Sequence, residues 1–401
     1  MKANAGNRGE KVRSDCYVEL ELCDEGGIQV DLKSKVEALY GNSIRALCRE
    51  VLSFFEIDHC KLFVEDKGAL NWVIAARLEA AIKRLTPNSK SFLLPVDDKL
   101  NYTTEKKCQR RSRLYIPGVN PKLMLNAGLY GADGIIFDLE DAVAPGKKYE
   151  SRFLVRNALR AIDLNGAERM VRINQLPEGL KDIEVLTDQP VNLILIPKCE
   201  SGADIHAVNS QLNSLSSQKT NSIHLMPIVE SAKGVLNAFE IATAAENVVA
   251  IAIGLEDYTA DMGIQRTTSG NETQWARNMV VNAAVAAGIQ PIDSVFSDVE
   301  NMEALEKNIN ESRSIGFVGM GCIHPRQIKP INSGYSPSEK EIEKAKRVVD
   351  AFMKAKEKGL GVVALGSKMI DAPVVKRAQQ TIDNAIANGL LNQNWRENHE
   401  A

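Results

Sequence analysis

Several familiar signals are missing from this chain. Its seven cysteines (Cys16, Cys23, Cys48, Cys60, Cys108, Cys199 and Cys322) are scattered and form no CxxC pair. Such an odd, dispersed set suits reduced thiols in a cytosol, each acting as a small buried hydrophobe, better than a disulfide framework or a thiolate metal site. The five histidines include no His-x-x-His or comparable cluster, so zinc is not expected. No apolar run approaches the roughly 20 residues needed to span a bilayer. The Met1 end also lacks an apolar core ahead of a cleavage site, which predicts a cytoplasmic protein with no membrane partner. A net charge of −3 leaves no electrostatic footprint for nucleic acid.

What is present is an ordinary globular composition, 44% hydrophobic and 25% charged over 401 residues, long enough for more than one domain. Eight short apolar segments run through the middle: SRLYIP (112–117), GIIFDLED (134–141), RMVRIN (169–174), LILIPK (193–198), IHLMPIVES (223–231), VVAIAIGLED (248–257), IQPIDSVF (289–296) and GFVGMGCIH (316–324). Helical stretches fill most of the gaps. Eight buried parallel strands with intervening helices predict an α/β fold, a (β/α)8 barrel, whose chemistry sits at the C-terminal strand ends. Those ends carry Asp138, Glu140, Asp141, Arg172, Asn174, Lys198, Glu230, Glu256, Asp257, Asp293 and His324.

Around the barrel, taken as 111–335, the sequence divides further. Residues 1–88 read as a small α+β domain. Val18, Leu20 and Leu22 alternate with acids, as do Ile28, Val30 and Leu32 with polar residues, giving two strands joined by a turn at Asp24-Glu25-Gly26-Gly27. A helix, a strand from Cys60 to Glu65 and an amphipathic helix ending at Leu85 complete the order ββαβα. Residues 89–110 read as a linker whose basic cluster, Lys106 to Arg111, is expected to be a solvated tether. Residues 336–401 form a helical extension, opened by a Ser338/Glu341 capping box and continued through Lys368-Met369-Ile370-Asp371 into a helix ending near Ala387. It could form a lid over a barrel mouth, its own or a neighbour's.

Among the rim residues, Glu230 and Asp257 end consecutive strands, about 5 Å apart if paired, and two converging carboxylates can hold Mg2+. The alternative is that they pair with bases or cap the following helices. Arg172 can clamp a carboxylate bidentately, or serve Asp138, Glu140 and Asp141 in salt bridges. Lys198 is the one Schiff-base candidate, or an ion-pairing residue. His324 stands where barrels often bind phosphate, or is a plain turn residue.

Taken together, RRSRLYIPGVNPK, GADGIIFDLEDAVAPGKK, VRIN, PKCES, PIVESAKGV, GLEDYTAD and CIHPRQI resemble the citrate lyase beta subunit and its HpcH/HpaI aldolase relatives, the malyl-CoA and citramalyl-CoA lyases, over about residues 110 to 385. EDKGALNWVIAARLEAAIKRL, with GNSIRALCREVL upstream, is similar to the acyl-carrier (gamma) subunit of citrate lyase. The resemblance implies Glu230 and Asp257 as Mg2+ ligands, Arg172 as the keto-acid carboxylate contact, and Asp371 as an acid brought in on a C-terminal segment, often from an adjacent subunit. It places Cys322-Ile323-His324-Pro325 near the CoA nucleotide. Aligning on Asp15 and the strand that follows puts Arg13 at the position of the carrier's prosthetic-group serine, and only a slip of one residue puts Ser14 there. Asp141 stands where related aldolases carry a histidine base, which disfavours simple aldehyde chemistry.

The expected reaction is cleavage of a citryl, citramalyl or malyl thioester, on CoA or on a carrier, to a keto acid and an acetyl thioester. Glu140 and Asp141 would order metal-bound water or hold Arg172. A homo-oligomer, trimer or hexamer, and a CoA-transferase subunit are the implied partners. The rivals are a malate-synthase-like condensation with thioester hydrolysis, a Schiff-base aldolase using Lys198, and an inert carrier or scaffold subunit of a lyase complex.

Overall fold

The computed structural model describes residues 1–215, 223–267, 269–357, 363–365 and 368–396. Near the N-terminus, β1 (Lys2–Gly6), β2 (Cys16–Leu22), β3 (Ile28–Ser34) and β4 (Cys60–Asp66) form one sheet in the order β1-β2-β4-β3. The alternation in β2 and β3 is real, but the turn between them does not pair them: β4 inserts between, antiparallel to β2 and parallel to β3. β1 is an addition to the expected order. Its sequence, KANAG, carries no apolar alternation, and the strand exists because it pairs with β2. Ala5, Val18, Leu20, Leu32, Leu62 and Val64 are buried in the same core as the helices Glu37–Phe54 and Asn71–Leu85.

Residues 72–82 of the second helix are buried without a break, because its other side meets the barrel helix Lys148–Ala161. This interface is ionic. Glu79 accepts from Arg156 at 3.0 and 2.6 Å, and Arg77 bridges Asp15 at 2.9 Å and Glu150 at 3.1 Å. Arg77 also donates to the Val119 carbonyl at 3.2 Å, and Lys147 reaches the Gly6 carbonyl at 2.7 Å. Charges buried this thoroughly do little for net stability, yet losing one partner is costly.

The barrel strands are β5 (Ser112–Pro117), β6 (Gly134–Asp138), β7 (Glu168–Arg172), β8 (Leu193–Ile196), β9 (His224–Val229), β10 (Ala250–Ile253), β11 (Gln290–Asp293) and β12 (Gly319–Cys322). They close in sequence order as an all-parallel barrel, as the eight apolar segments predict. Alternate residues such as Ile136, Met170, Leu195, Met226 and Ile228 fill the interior, while Phe137, Val171, Ile194 and Val229 belong to the outer core shared with the helices. One segment differs: β10 stops at Ile253 and Gly254 opens a helix, Leu255–Asp261. Asp257 therefore projects from the first turn of a helix, not from a strand end.

The basic stretch before β5 is a solvated tether only in its lysines: Lys106 and Lys107 are exposed, while Arg110 and Arg111 are tied to the barrel. Arg110 is buried, holds Glu168 at 2.7 and 2.8 Å and donates to Gln290 at 2.7 Å. Arg111 holds Asp133 at 2.8 Å, and Arg169 lies over the Tyr102 ring at 3.8 Å. These residues clamp the N-terminal end of the barrel, because acids at the strand starts offer them partners that a local reading cannot supply. Beyond the barrel, the capping box forms, with Ser338 Oγ bonded to Glu341 at 2.8 Å ahead of the helix Glu339–Glu357. This helix, a hairpin of β13 (Val363–Leu365) and β14 (Lys368–Ile370), and the helix Ala372–Ala387 have their own small core around Val348, Val349 and Ile382. Part of the glycine-punctuated run 359–366 lies outside the described residues. No helix among the described residues is long and apolar enough to cross a membrane.

Candidate active site

The loops following β5 to β12 frame two adjoining cavities of about 480 and 420 Å3 that share Glu230 and Asp257. Each rim residue arrives from a different element. Asp138 is the last residue of β6, level with Pro117 and Arg172 on the neighbouring strands. Arg172 donates through Nε and Nη2 to both Asp138 oxygens, each at 2.7 Å. Its Nη1 lies 2.8 Å from Glu140 and 3.6 Å from Asp141. Burial works against this charge, but the Asp138 hydrogen bonds and charge outweigh it and hold the guanidinium proton above the usual arginine range. Both of the expected roles of Arg172 are therefore available: it is anchored by acids and it lines the cavity.

Glu230 directly follows β9 and is buried, 5% exposed. Its Oε1 accepts from the Lys198 backbone N–H at 2.7 Å, an orientation set by the left-handed conformation of Lys198 (φ 48°). On the other side Gly254 lets the carboxylate pass: a Cβ there would stand 2.3 Å from Glu230 Oε2. Burial first, then the charge of Glu140, pushes the Glu230 carboxyl up to about 8. Glu140 itself is pushed up to about 7, by burial above all, with Arg172 pulling the other way and Asp141 adding to the rise. Lys198 Nζ stands 3.7 Å from both Glu140 and Asp257. Burial favours its neutral form, but Glu140 and Asp257 prevail and raise it above the usual ammonium range. A lysine so charged is poorly suited to Schiff-base formation.

Asp138, Glu140, Asp141 and Asp257 thus stand around Arg172 and Lys198, and Glu230 shares a cavity with Arg172 and Arg113. These acids are hard oxygen donors, without imidazole or thiolate, which is the donor set for a hard divalent cation. No cluster of three or more acidic, histidine or cysteine side chains that could hold a metal occurs among the described residues. Mg2+ keeps most of its waters and needs only one or two protein carboxylates, so the pair Glu230 and Asp257 fits it.

The remaining expected residues lie elsewhere. His324 Nδ1 accepts from the Arg326 N–H at 3.2 Å and caps a short helical turn. Asp371 caps the helix Ala372–Ala387 by accepting from Val374 N–H at 3.2 Å, and no described residue of the C-terminal extension lines either cavity. Ser14 precedes β2 in a left-handed conformation (φ 56°), its N–H donating to the Lys67 carbonyl at 3.1 Å. Its neighbour Asp15 is locked to Arg77, while Arg13 Nη1 turns back onto the Glu10 and Val12 carbonyls at 2.6 and 2.8 Å. Arg113 and Tyr115 are among the cavity residues that carried no advance signal. Strands buried on both faces show no alternation that would mark their inward positions.

Residues 111–325 match the family described as HpcH/HpaI aldolase/citrate lyase. The chain belongs to that family. Its citrate lyase subunit beta from Leuconostoc mesenteroides subsp. cremoris is 40% identical over 287 residues, covering 70% of this chain and 95% of the relative. A (3S)-malyl-CoA thioesterase and an L-malyl-CoA/beta-methylmalyl-CoA lyase, both from Cereibacter sphaeroides, are 34% and 30% identical, each over 69% of this chain and 95% and 94% of their own length. The crystal structure of CitE from Mycobacterium tuberculosis in complex with magnesium, acetoacetate and coenzyme A superposes with a TM-score of 0.58 at 29% identity, covering 70% of this chain and 99% of that one. Residues 4–85 match an acyl-carrier family described as the malonate decarboxylase delta subunit. The protein is accordingly a carbon–carbon lyase of the HpcH/HpaI type with an acyl-carrier-like N-terminal domain.

Proposed function

We propose that the chain cleaves a 3-hydroxy-3-carboxylic acyl thioester, citryl, citramalyl or malyl, to a keto acid and an acetyl thioester, with Mg2+ held by Glu230 and Asp257. The observation that carries this reading is the placing of Glu230 and Asp257 on the same two cavities at the barrel mouth, beside Arg172 with its carboxylate partners Asp138 and Glu140. The magnesium of the CitE complex supports the choice of ion. Bound there, Mg2+ supplies Lewis acidity toward the substrate hydroxyl and its neighbouring carboxylate.

The chain's own groups do the rest. Arg172, held rigid by Asp138, orients the keto-acid carboxylate and presents fixed positive charge to the developing keto oxygen. Glu140 and Asp141 hold Arg172 and can orient water at the site. A base takes the hydroxyl proton, the electrons of the breaking C–C bond pass to the thioester α-carbon, and that carbon is protonated. Asp371 is assigned this proton transfer. Because it sits outside its own mouth, it would act in the mouth of a neighbouring copy, in a trimeric or hexameric homo-oligomer. His324 is assigned to the CoA nucleotide end. Ser14 is assigned as attachment point of a prosthetic arm, which would make the acyl-carrier-like domain a thioester donor alongside CoA and a CoA-transferase subunit its partner.

A second reading, thioester hydrolysis after condensation, is favoured by the likeness to the (3S)-malyl-CoA thioesterase. Purified hydroxyacyl-CoA substrates, with and without Mg2+, separate the two: keto acid with acetyl-CoA supports cleavage, free CoA supports hydrolysis. Asp257→Ala is expected to abolish turnover with an unchanged melting temperature, and full activity in that variant would remove the metal assignment. The mass of the intact protein from its native host reports directly on Ser14.

A further inference from the structure

Arg113 enters the barrel interior from β5 and lines the same cavity as Arg172, Tyr115 and Glu230. It is 1% exposed. Its Nε has no hydrogen-bond partner, and its Nη1 meets only the thioether sulfur of Met226 at 2.9 Å. Burial disfavours its charge above all, and the groups that act on it next are Tyr115, Cys322, Arg110 and Tyr335, none of them a carboxylate. Of the acids lining the cavity, Asp138 is committed to Arg172 and Asp293 to Arg277 at 2.6 Å. Its strand neighbours in register are both glycines, Gly134 and Gly321. A Cβ at Gly321 would come within 3.1 Å of the Tyr115 ring, so the space around this pair depends on the missing side chains.

A guanidinium stays charged, and a buried charge without a counterion is expensive. Structures tolerate such a group where a ligand completes it. We propose that Arg113 receives a second carboxylate of the bound acid at the cavity floor, so that the site selects keto acids with two carboxylates over those with one. The inference rests on the lyase reading above. Arg172 and Arg113 then act at different depths. The α-keto carboxylate stays at the rim, and the distal carboxylate reaches down past Tyr115. The two levels are four residues apart along β5, about 13 Å of strand, which the long arginine side chain partly closes.

Calorimetric titration of oxaloacetate and of pyruvate, both with Mg2+, tests this in the wild type and in Arg113→Met. The expected result is a roughly 30-fold weakening for oxaloacetate and pyruvate affinity within about threefold of wild type. An unchanged ratio of the two affinities in a folded Arg113→Met, in a wild type that still cleaves thioesters, overturns the role of Arg113 alone. A wild type that binds neither acid and cleaves no thioester overturns the lyase reading and this inference with it. Should Arg113→Met not fold, Arg113→Lys keeps the charge but not the two-pronged geometry. It is expected to weaken oxaloacetate selectively, and equal effects on both acids count against the proposal.

Discussion

At Glu230, burial and the nearby Glu140 charge favour the protonated form, while the Lys198 N–H favours the carboxylate. The first two prevail. Between the ordinary glutamate value of 4.5 and about 8, the folded chain holds a proton that the unfolded chain has released, so this group's contribution to stability falls as pH rises through that window. A divalent cation competes with that proton. The melting-temperature increase produced by Mg2+ is therefore expected to be larger at pH 8.5 than at pH 6 in differential scanning calorimetry. Glu230→Gln should flatten the dependence, and a constant increase across pH would separate the metal from Glu230. The identity of this acid was legible from the end of its apolar strand; its raised proton affinity was not, because Glu140 is 90 residues away in sequence.

Elements carry the next layer. The helix Leu255–Asp261 begins where the sequence reads as a continuing strand, and that early start turns Gly254 into the surface against which the Glu230 carboxylate lies. Gly254→Ala places a methyl group 2.3 Å from Glu230 Oε2. The expected cost is about 1–3 kcal/mol of overpacking in chemical denaturation, together with loss of lyase turnover as the carboxylate is displaced. A variant with wild-type rates would show that Glu230 need not occupy this position. Elsewhere local chemistry was decisive: the Ser338/Glu341 cap and the helix ending at Ala387 form where the sequence puts them, since caps and helical periodicity involve residues within one or two turns.

For the whole molecule, the interface between the acyl-carrier-like domain and the barrel is held by Arg77, Glu79, Asp15, Glu150 and Arg156. Arg77→Met leaves Asp15 without its partner in the interior. It is expected to destabilise by about 3–5 kcal/mol, with the N-terminal domain unfolding ahead of the barrel in a urea titration followed by hydrogen exchange. A single unshifted transition would show that the domains do not depend on this ion pair. The closed barrel and the acidic rim could be read from the order of apolar segments and the charges at their ends, because strand burial and loop position are written residue by residue, whereas the family was read from the resemblance of whole strings such as GADGIIFDLEDAVAPGKK. Which acids pair with which bases, where Arg110 and Arg113 point, and why Asp371 stands apart from its own mouth were decided only in three dimensions. Charge pairing and desolvation depend on partners brought together across the chain, and no local pattern encodes them.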